Sequence, residues 1–84
     1  MDASYEQLLI EIRHFVAQHF GADVTQIHEA TLREDIDGWD SVSFPGFMLA
    51  LEDAYQISLS PEAVVEIQNI GELTRVVHAT LASR

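Results

Sequence analysis

Cysteine and lysine are both missing from this 84-residue sequence. Without cysteine, disulfides and thiolate metal sites are excluded, and the composition fits a reducing compartment. A chain this small usually needs disulfides, a metal or well-packed helices to be stable, and the first of these is ruled out. No apolar run approaches the roughly 20 residues that span a bilayer. The opening Met1-Asp2-Ala3-Ser4 is acidic where a secretory leader is basic, so no signal peptide is expected. These absences predict one cytoplasmic domain over residues 1–84, and Met1 with the compact length predicts a discrete protein. With no lysine, four arginines face fourteen acidic residues and the formal net charge is −10. Such a field repels nucleic acid and anionic lipid and steers basic protein surfaces toward the chain. The same charge keeps a small protein soluble, and composition alone leaves both roles open.

What is present is helical periodicity. Over residues 4 to 20, Leu9, Ile12, Val16 and Phe20 recur at three- and four-residue steps, with Leu8 and Phe15 widening the stripe. Ser4 with Gln7 resembles a capping box, Asp2 being the alternative cap, and Gly21 is a natural stop. Residues 21 to 40 are irregular, with apolar anchors at Val24, Ile27, Leu32 and Ile36 that should fold the loop back onto the helices. Loops of that length in small domains are often functional. A second helix is predicted from residue 41 to 55, with Phe44, Phe47, Met48, Leu51 and Tyr55 on one face and Asp40 as N-cap. Pro45 and Gly46 predict a distorted first turn. After an extended Ile57-Ser58-Leu59 link, Ser60-Pro61-Glu62 opens a short helix to about Ile67. Asn69 with Glu72 opens the last helix, whose face includes Leu73, Val76, Val77 and Leu81. The fold class is all-α: a small four-helix bundle of three longer helices and one short one, with a long loop between helices one and two.

Most catalytic constellations fail on spacing. His14 and His19 fall on different helix faces, and His28 and His78 lie in other segments, so no shared metal site is predicted. An EF-hand loop from Asp35 would need glycine and glutamate where Asp40 and Gly46 stand. Ser41 and Ser43 have no histidine nearby in sequence and no Gly-x-Ser-x-Gly elbow. What remains is Gly38-Trp39-Asp40-Ser41-Val42 at a loop-to-helix junction. A phosphate ester on a serine in a first helical turn is favoured by exposed amides and the helix dipole. The same two residues equally fit an ordinary cap.

From Gly38 to about Val77 the sequence resembles the acyl carrier protein family. The family's Asp-Ser-Leu signature reads Asp40-Ser41-Val42 here. The likeness continues through Met48-Leu49-Ala50-Leu51-Glu52-Asp53-Ala54-Tyr55-Gln56-Ile57, then Ser60-Pro61-Glu62 and Ile67, to Ile70 and Leu73. The resemblance implies a carrier, not an enzyme, with covalent 4'-phosphopantetheine on Ser41 installed by a phosphopantetheinyl transferase. The arm's thiol would hold an acyl or polyketide unit as a thioester and present it to successive enzymes at high effective concentration. It further implies a monomer that meets acyl-loading and acyl-processing enzymes through their basic docking surfaces, without nucleic acid or membrane. Asp40, Val42, Glu52 and Asp53 are the implied recognition residues. Phe47, Met48, Leu51 and Ile67 are candidate linings for a sheltered chain, or plain core.

Near the serine the pattern departs from the family: Ser43 and Gly46 stand where acids are common, and Pro45 is unusual. A less acidic, more hydrophobic contact is therefore expected there. The Gly-Trp-Asp-Ser form, with Asp37 as an extra loop residue, resembles discrete carriers of specialised pathways. Trp39 is equally a residue that packs the loop onto the bundle. Rival readings are a peptidyl or aminoacyl carrier of non-ribosomal assembly and a non-catalytic adaptor that never receives the arm.

Overall fold

A computed structural model describes residues 3–83. Four helices follow in order: α1 Ala3–Phe20, α2 Phe44–Tyr55, α3 Pro61–Val65 and α4 Ile70–Ser83. Among the described residues there is no strand, only an isolated antiparallel bridge between Leu32 and Asn69. The core forms where the predicted stripes converge. Ile12, Val16, Phe47, Leu51, Ile70, Leu73 and Val77 are each 0% exposed, with Leu8, Ala17, Ile27, Ile36, Met48 and Ile67 closely buried around them. Burying one such aliphatic or aromatic side chain contributes roughly 2–3 kcal/mol. Leu9, Phe15, Phe20, Phe44, Tyr55, Val76 and Leu81 are half-buried at the margins of the same stripes.

The ends of the helices correct several expectations. Helix α1 is already helical at Ser4, whose hydroxyl contacts His78 Nε2 at 3.1 Å instead of capping, and Gln7 reaches Glu11. Asp2, the alternative cap, lies outside the described residues. Helix α2 starts at Phe44, three residues later than predicted, because Pro45 has no N–H to donate back to Ser41. Residues 41 to 43 form a turn, held by Phe44 N to Asp40 O at 2.9 Å and Phe47 N to Ser43 O at 3.2 Å. Helix α3 stops at Val65; Ile67 is instead drawn into the core by a further turn, its N–H donating to Val64 O at 3.2 Å. The caps of α3 and α4 are those expected. Ser60 Oγ accepts from Ala63 N at 3.2 Å, and Asn69 Oδ1 accepts from Glu72 N at 2.8 Å. The Glu72 carboxylate reaches back to Gln68 N at 2.7 Å, which reproduces a capping box shifted by one residue.

The long loop is pinned rather than loose. It carries two 3-10 turns, Val24–Gln26 and Arg33–Asp35, the first capped by Asp23 Oδ1 accepting from Thr25 N at 2.9 Å. Ile27 and Ile36 are buried as predicted, but Leu32 is 42% exposed and is not a hydrophobic anchor. At Leu32 the backbone makes the attachment: Arg33 N donates to Gln68 O at 3.0 Å and Ile70 N to Thr31 O at 3.1 Å. The Arg13 guanidinium holds the loop's other end, donating to Ile27 O and Val24 O.

Candidate functional site

The serine turn is built on an aromatic stack. Trp39 lies between Phe20, at 5.7 Å and 16°, and Phe44, at 5.2 Å and 23°, with the buried Phe47 ring 5.5 Å away. Trp39 thus packs the end of the loop onto the bundle and fixes where the next residues emerge. Gly38 makes this possible with φ of +94°, and a Cβ there would stand 3.2 Å from Phe20 Cδ1.

Asp40 shapes the turn that follows. Its Oδ1 accepts from Val42 N at 3.0 Å and Ser43 N at 2.8 Å. Those amides, Ser43 first, hold the carboxyl below its ordinary pKa, so it is ionised at neutral pH. The predicted cap of α2 is thus displaced: Ser43 holds the capping position, and Asp40 organises the turn ahead of the helix. Ser41 is exposed on that turn, and among the described residues its hydroxyl makes no hydrogen bond. Val42 beside it is 87% exposed.

Ser41 opens onto a cleft of about 270 Å³. Trp39 and Phe44 form one wall, Val64 and Val65 of α3 the other, and Arg33 and Asp40 its polar groups. The cleft adjoins a mostly apolar groove of about 390 Å³ between α2 and α3, shared by Phe44, Val64 and Val65 and extended by Met48, Leu49 and Leu59, with Glu52 as its one charged lining residue. Of the four candidate linings, Met48 reaches this groove, while Phe47, Leu51 and Ile67 are core. Glu52 and Asp53 lie at the other end of α2, about 12 Å along the helix from Phe44. Glu52 commits one carboxylate oxygen to Leu59 N at 2.7 Å, and Asp53 is exposed. The four recognition residues therefore fall into two groups, one at the serine turn and one at the far end of α2.

Sequence reasoning did not find Arg33, Val64 or Val65 as neighbours of Ser41. The signal available was the scarcity of cations, which makes any arginine near the motif notable. Among the described residues no group of three histidines or acids is arranged to hold a metal. None of the described helices is long and apolar enough to cross a membrane.

A helical bundle that offers one unengaged serine hydroxyl on a braced turn has the form of a carrier modified by other enzymes. Comparison with known proteins gives the class its family. The family model described as the phosphopantetheine attachment site matches residues 11–77. Acyl carrier protein 3 of Ralstonia nicotianae is 31% identical over 78 residues, covering 92% of this chain and 88% of that protein. The acyl carrier protein of an Exiguobacterium species is 27% identical over 77 residues, covering 90% and 96%. The solution structure of a holo acyl carrier protein from Geobacter metallireducens matches with a TM-score of 0.78 at 29% identity, covering 89% of this chain and 86% of that one. The chain belongs to the phosphopantetheine-dependent acyl carrier protein family, whose members are carriers and not catalysts, and whose cofactor is covalent 4'-phosphopantetheine. The residues at the turn fit such a group: an exposed, unengaged hydroxyl opens onto a cleft with apolar walls and one cation.

Proposed function

We propose that Ser41 is the attachment residue and that the chain carries acyl or polyketide intermediates between partner enzymes in the cytoplasm. The observation that carries this is the state of Ser41: exposed, without a hydrogen bond among the described residues, on a turn braced by Asp40 and Trp39. Ser43 is also exposed, yet it occupies the capping position of α2 and its amide is held by Asp40. A transferase moves the arm from coenzyme A: Ser41 Oγ, losing its proton, forms the phosphodiester as the pyrophosphate bond breaks and adenosine 3',5'-bisphosphate leaves. Once attached, the arm supplies a thiol that holds the cargo as a thioester. The chain's own part is to fix the angle at which Ser41 meets a partner and to offer the surface that the partner reads. That surface exposes apolar side chains, Val42 at 87% next to the serine in sequence and Leu49 and Val65 at 68% and 69% on the adjoining groove. It also has acidic character at Glu52 and Asp53. The apolar exposure favours partners whose docking face combines basic side chains with an apolar contact, and it supports the less acidic junction read from Ser43, Pro45 and Gly46.

Intact-mass spectrometry after incubation with coenzyme A, magnesium and a broad-specificity transferase tests the reading. One phosphopantetheine adduct is expected on the wild type and on Ser43→Ala, and none on Ser41→Ala. A folded wild-type chain that several transferases leave unmodified would point to the adaptor instead.

A further inference from the structure

We infer that Arg33 is the counter-ion of the Ser41 phosphodiester, so that the cleft beside the serine is a binding site for that ester's anionic oxygen. The inference rests on Ser41 being the attachment residue. Arg33 is the one cation lining the cleft that Ser41 shares with Trp39, Phe44 and Val64. Its position is fixed from behind. The backbone N–H donates to Gln68 O at 3.0 Å and Nη1 donates to Ile67 O at 3.3 Å, which ties the guanidinium to the segment after α3. Nη2 is left open: it makes no hydrogen bond among the described residues.

The remaining contact of Arg33 is easily exchanged. Nε faces Glu34 Oε1 at 3.3 Å, with the two side chains 40% and 63% exposed. Exposed pairs between neighbours of this kind contribute little and are screened by salt. A phosphodiester oxygen is a better partner, because a guanidinium meets it with short, charge-assisted bonds. The aromatic and valine walls give that contact an apolar flank, where a charge pair is stronger than in open water.

Charge around the serine gives the ester a direction. Asp40 and Arg33 both line the cleft; Asp40 is a carboxylate whose Oδ1 is already bound to two amides, so it repels a second anion, and Arg33 is the group there that attracts one. The other described arginines are differently employed. Arg13 donates to the Ile27 and Val24 carbonyls, and Arg75 lines a separate cleft with Glu66 and Glu72. In a chain of net charge −10, Arg33 is therefore the one cation among the described residues that lines the cleft to meet a further negative charge.

The test uses the full ¹⁵N-labelled chain in apo and holo forms, with loading first verified by intact mass. On loading, the Arg33 Nε–H resonance is expected to shift and its exchange with water to slow several-fold, while that of Arg75 stays in place. The ³¹P line of the holo chain is expected to move in Arg33→Gln and not in Arg75→Gln. About 0.5 M NaCl should carry the wild-type line toward that of Arg33→Gln. Arg33→Gln also removes the bond to Ile67 O, but the apo-to-holo comparison of the wild type needs no variant. An Arg33 signal identical in apo and holo chains, or a ³¹P line identical in wild type and Arg33→Gln, overturns the inference. Failure of loading at Ser41 is a separate result, read in the mass spectrum, and sinks the attachment reading itself.

Discussion

Tyr55 donates its phenolic hydrogen to Glu11 Oε1 across 3.0 Å, joining α2 to α1 at the end of the bundle away from Ser41. Burial first, and the facing carboxylate second, push its pKa up to about 12 from the ordinary 10.0. The sign follows from linkage. The folded state favours the neutral phenol, so this stabilisation is complete below about pH 10 and is lost as pH rises through about 12. Tyr5, which donates to Glu29 and is also partly desolvated, is shifted upward too. Phenolate absorbance should therefore show both tyrosines ionising above their usual range, with the highest phase missing in Tyr55→Phe. A phase near pH 12 that persists in Tyr55→Phe would remove this account. Periodicity placed Tyr55 on the apolar face of its helix; its hydroxyl's partner, 44 residues away, left no trace in the sequence.

At the level of the elements, the start of α4 and the loop before α2 are locked together through Gly71. Its N–H donates to Glu29 O at 2.8 Å, and a Cβ there would stand 2.8 Å from Glu29 Cγ and 3.3 Å from that carbonyl oxygen. The side chain can move aside, but the carbonyl is held by the bond. Alanine gains up to about 1 kcal/mol of helix propensity, while forcing extra volume into a packed junction costs about 1–3 kcal/mol. Gly71→Ala is therefore expected to lower Tm by several degrees, about 4–8 °C per kcal/mol in a chain of this size. Faster amide exchange at Gly71 should accompany it; an unchanged or higher Tm would show that the junction yields freely. This junction also marks the limit of what the sequence disclosed. Helices α1, α2 and α4 were legible because their buried faces repeat at helical spacing. The attachment of the loop was not, since backbone-to-backbone bonds at Thr31, Arg33 and Gly71 have no residue-type signature. Leu32 was misread for that reason. The start of α2 was misplaced because Asp40 caps a turn as readily as a helix, and only the missing N–H of Pro45 separates the two. At the site, the Asp40-Ser41 motif was legible as a resemblance. Arg33, Val64 and Val65 reach it from segments distant in sequence, which a linear pattern does not disclose.

For the molecule as a whole, four arginines are too few to offset fourteen acidic residues, and two of those described are held largely by backbone carbonyls. Arg13 spends its donors on carbonyls, Arg33 spends one on Ile67 O, and the Arg33–Glu34 pair is exposed. The thirteen acidic residues among those described thus repel one another across a fold of 31 × 26 × 20 Å. Neighbouring charges then lie within or near the Debye length of about 10 Å at 0.1 M salt, so added salt should relieve the strain. Two consequences run in opposite directions. Folding stability should rise with NaCl, with Tm a few degrees higher at about 0.5 M than at about 0.02 M, because screening removes repulsion and the one ion pair among the described residues is exposed. Affinity for a partner that docks on Glu52 and Asp53 through basic groups should fall over the same range, mainly through a slower association rate. Apolar contact at Val42 and Leu49 should leave a remnant that salt does not abolish. Thermal unfolding and partner-binding kinetics across one salt series separate the two effects. A Tm that falls with salt would mean that attractive pairs dominate the surface. An association rate indifferent to salt would mean that the acidic field takes no part in docking and serves solubility alone.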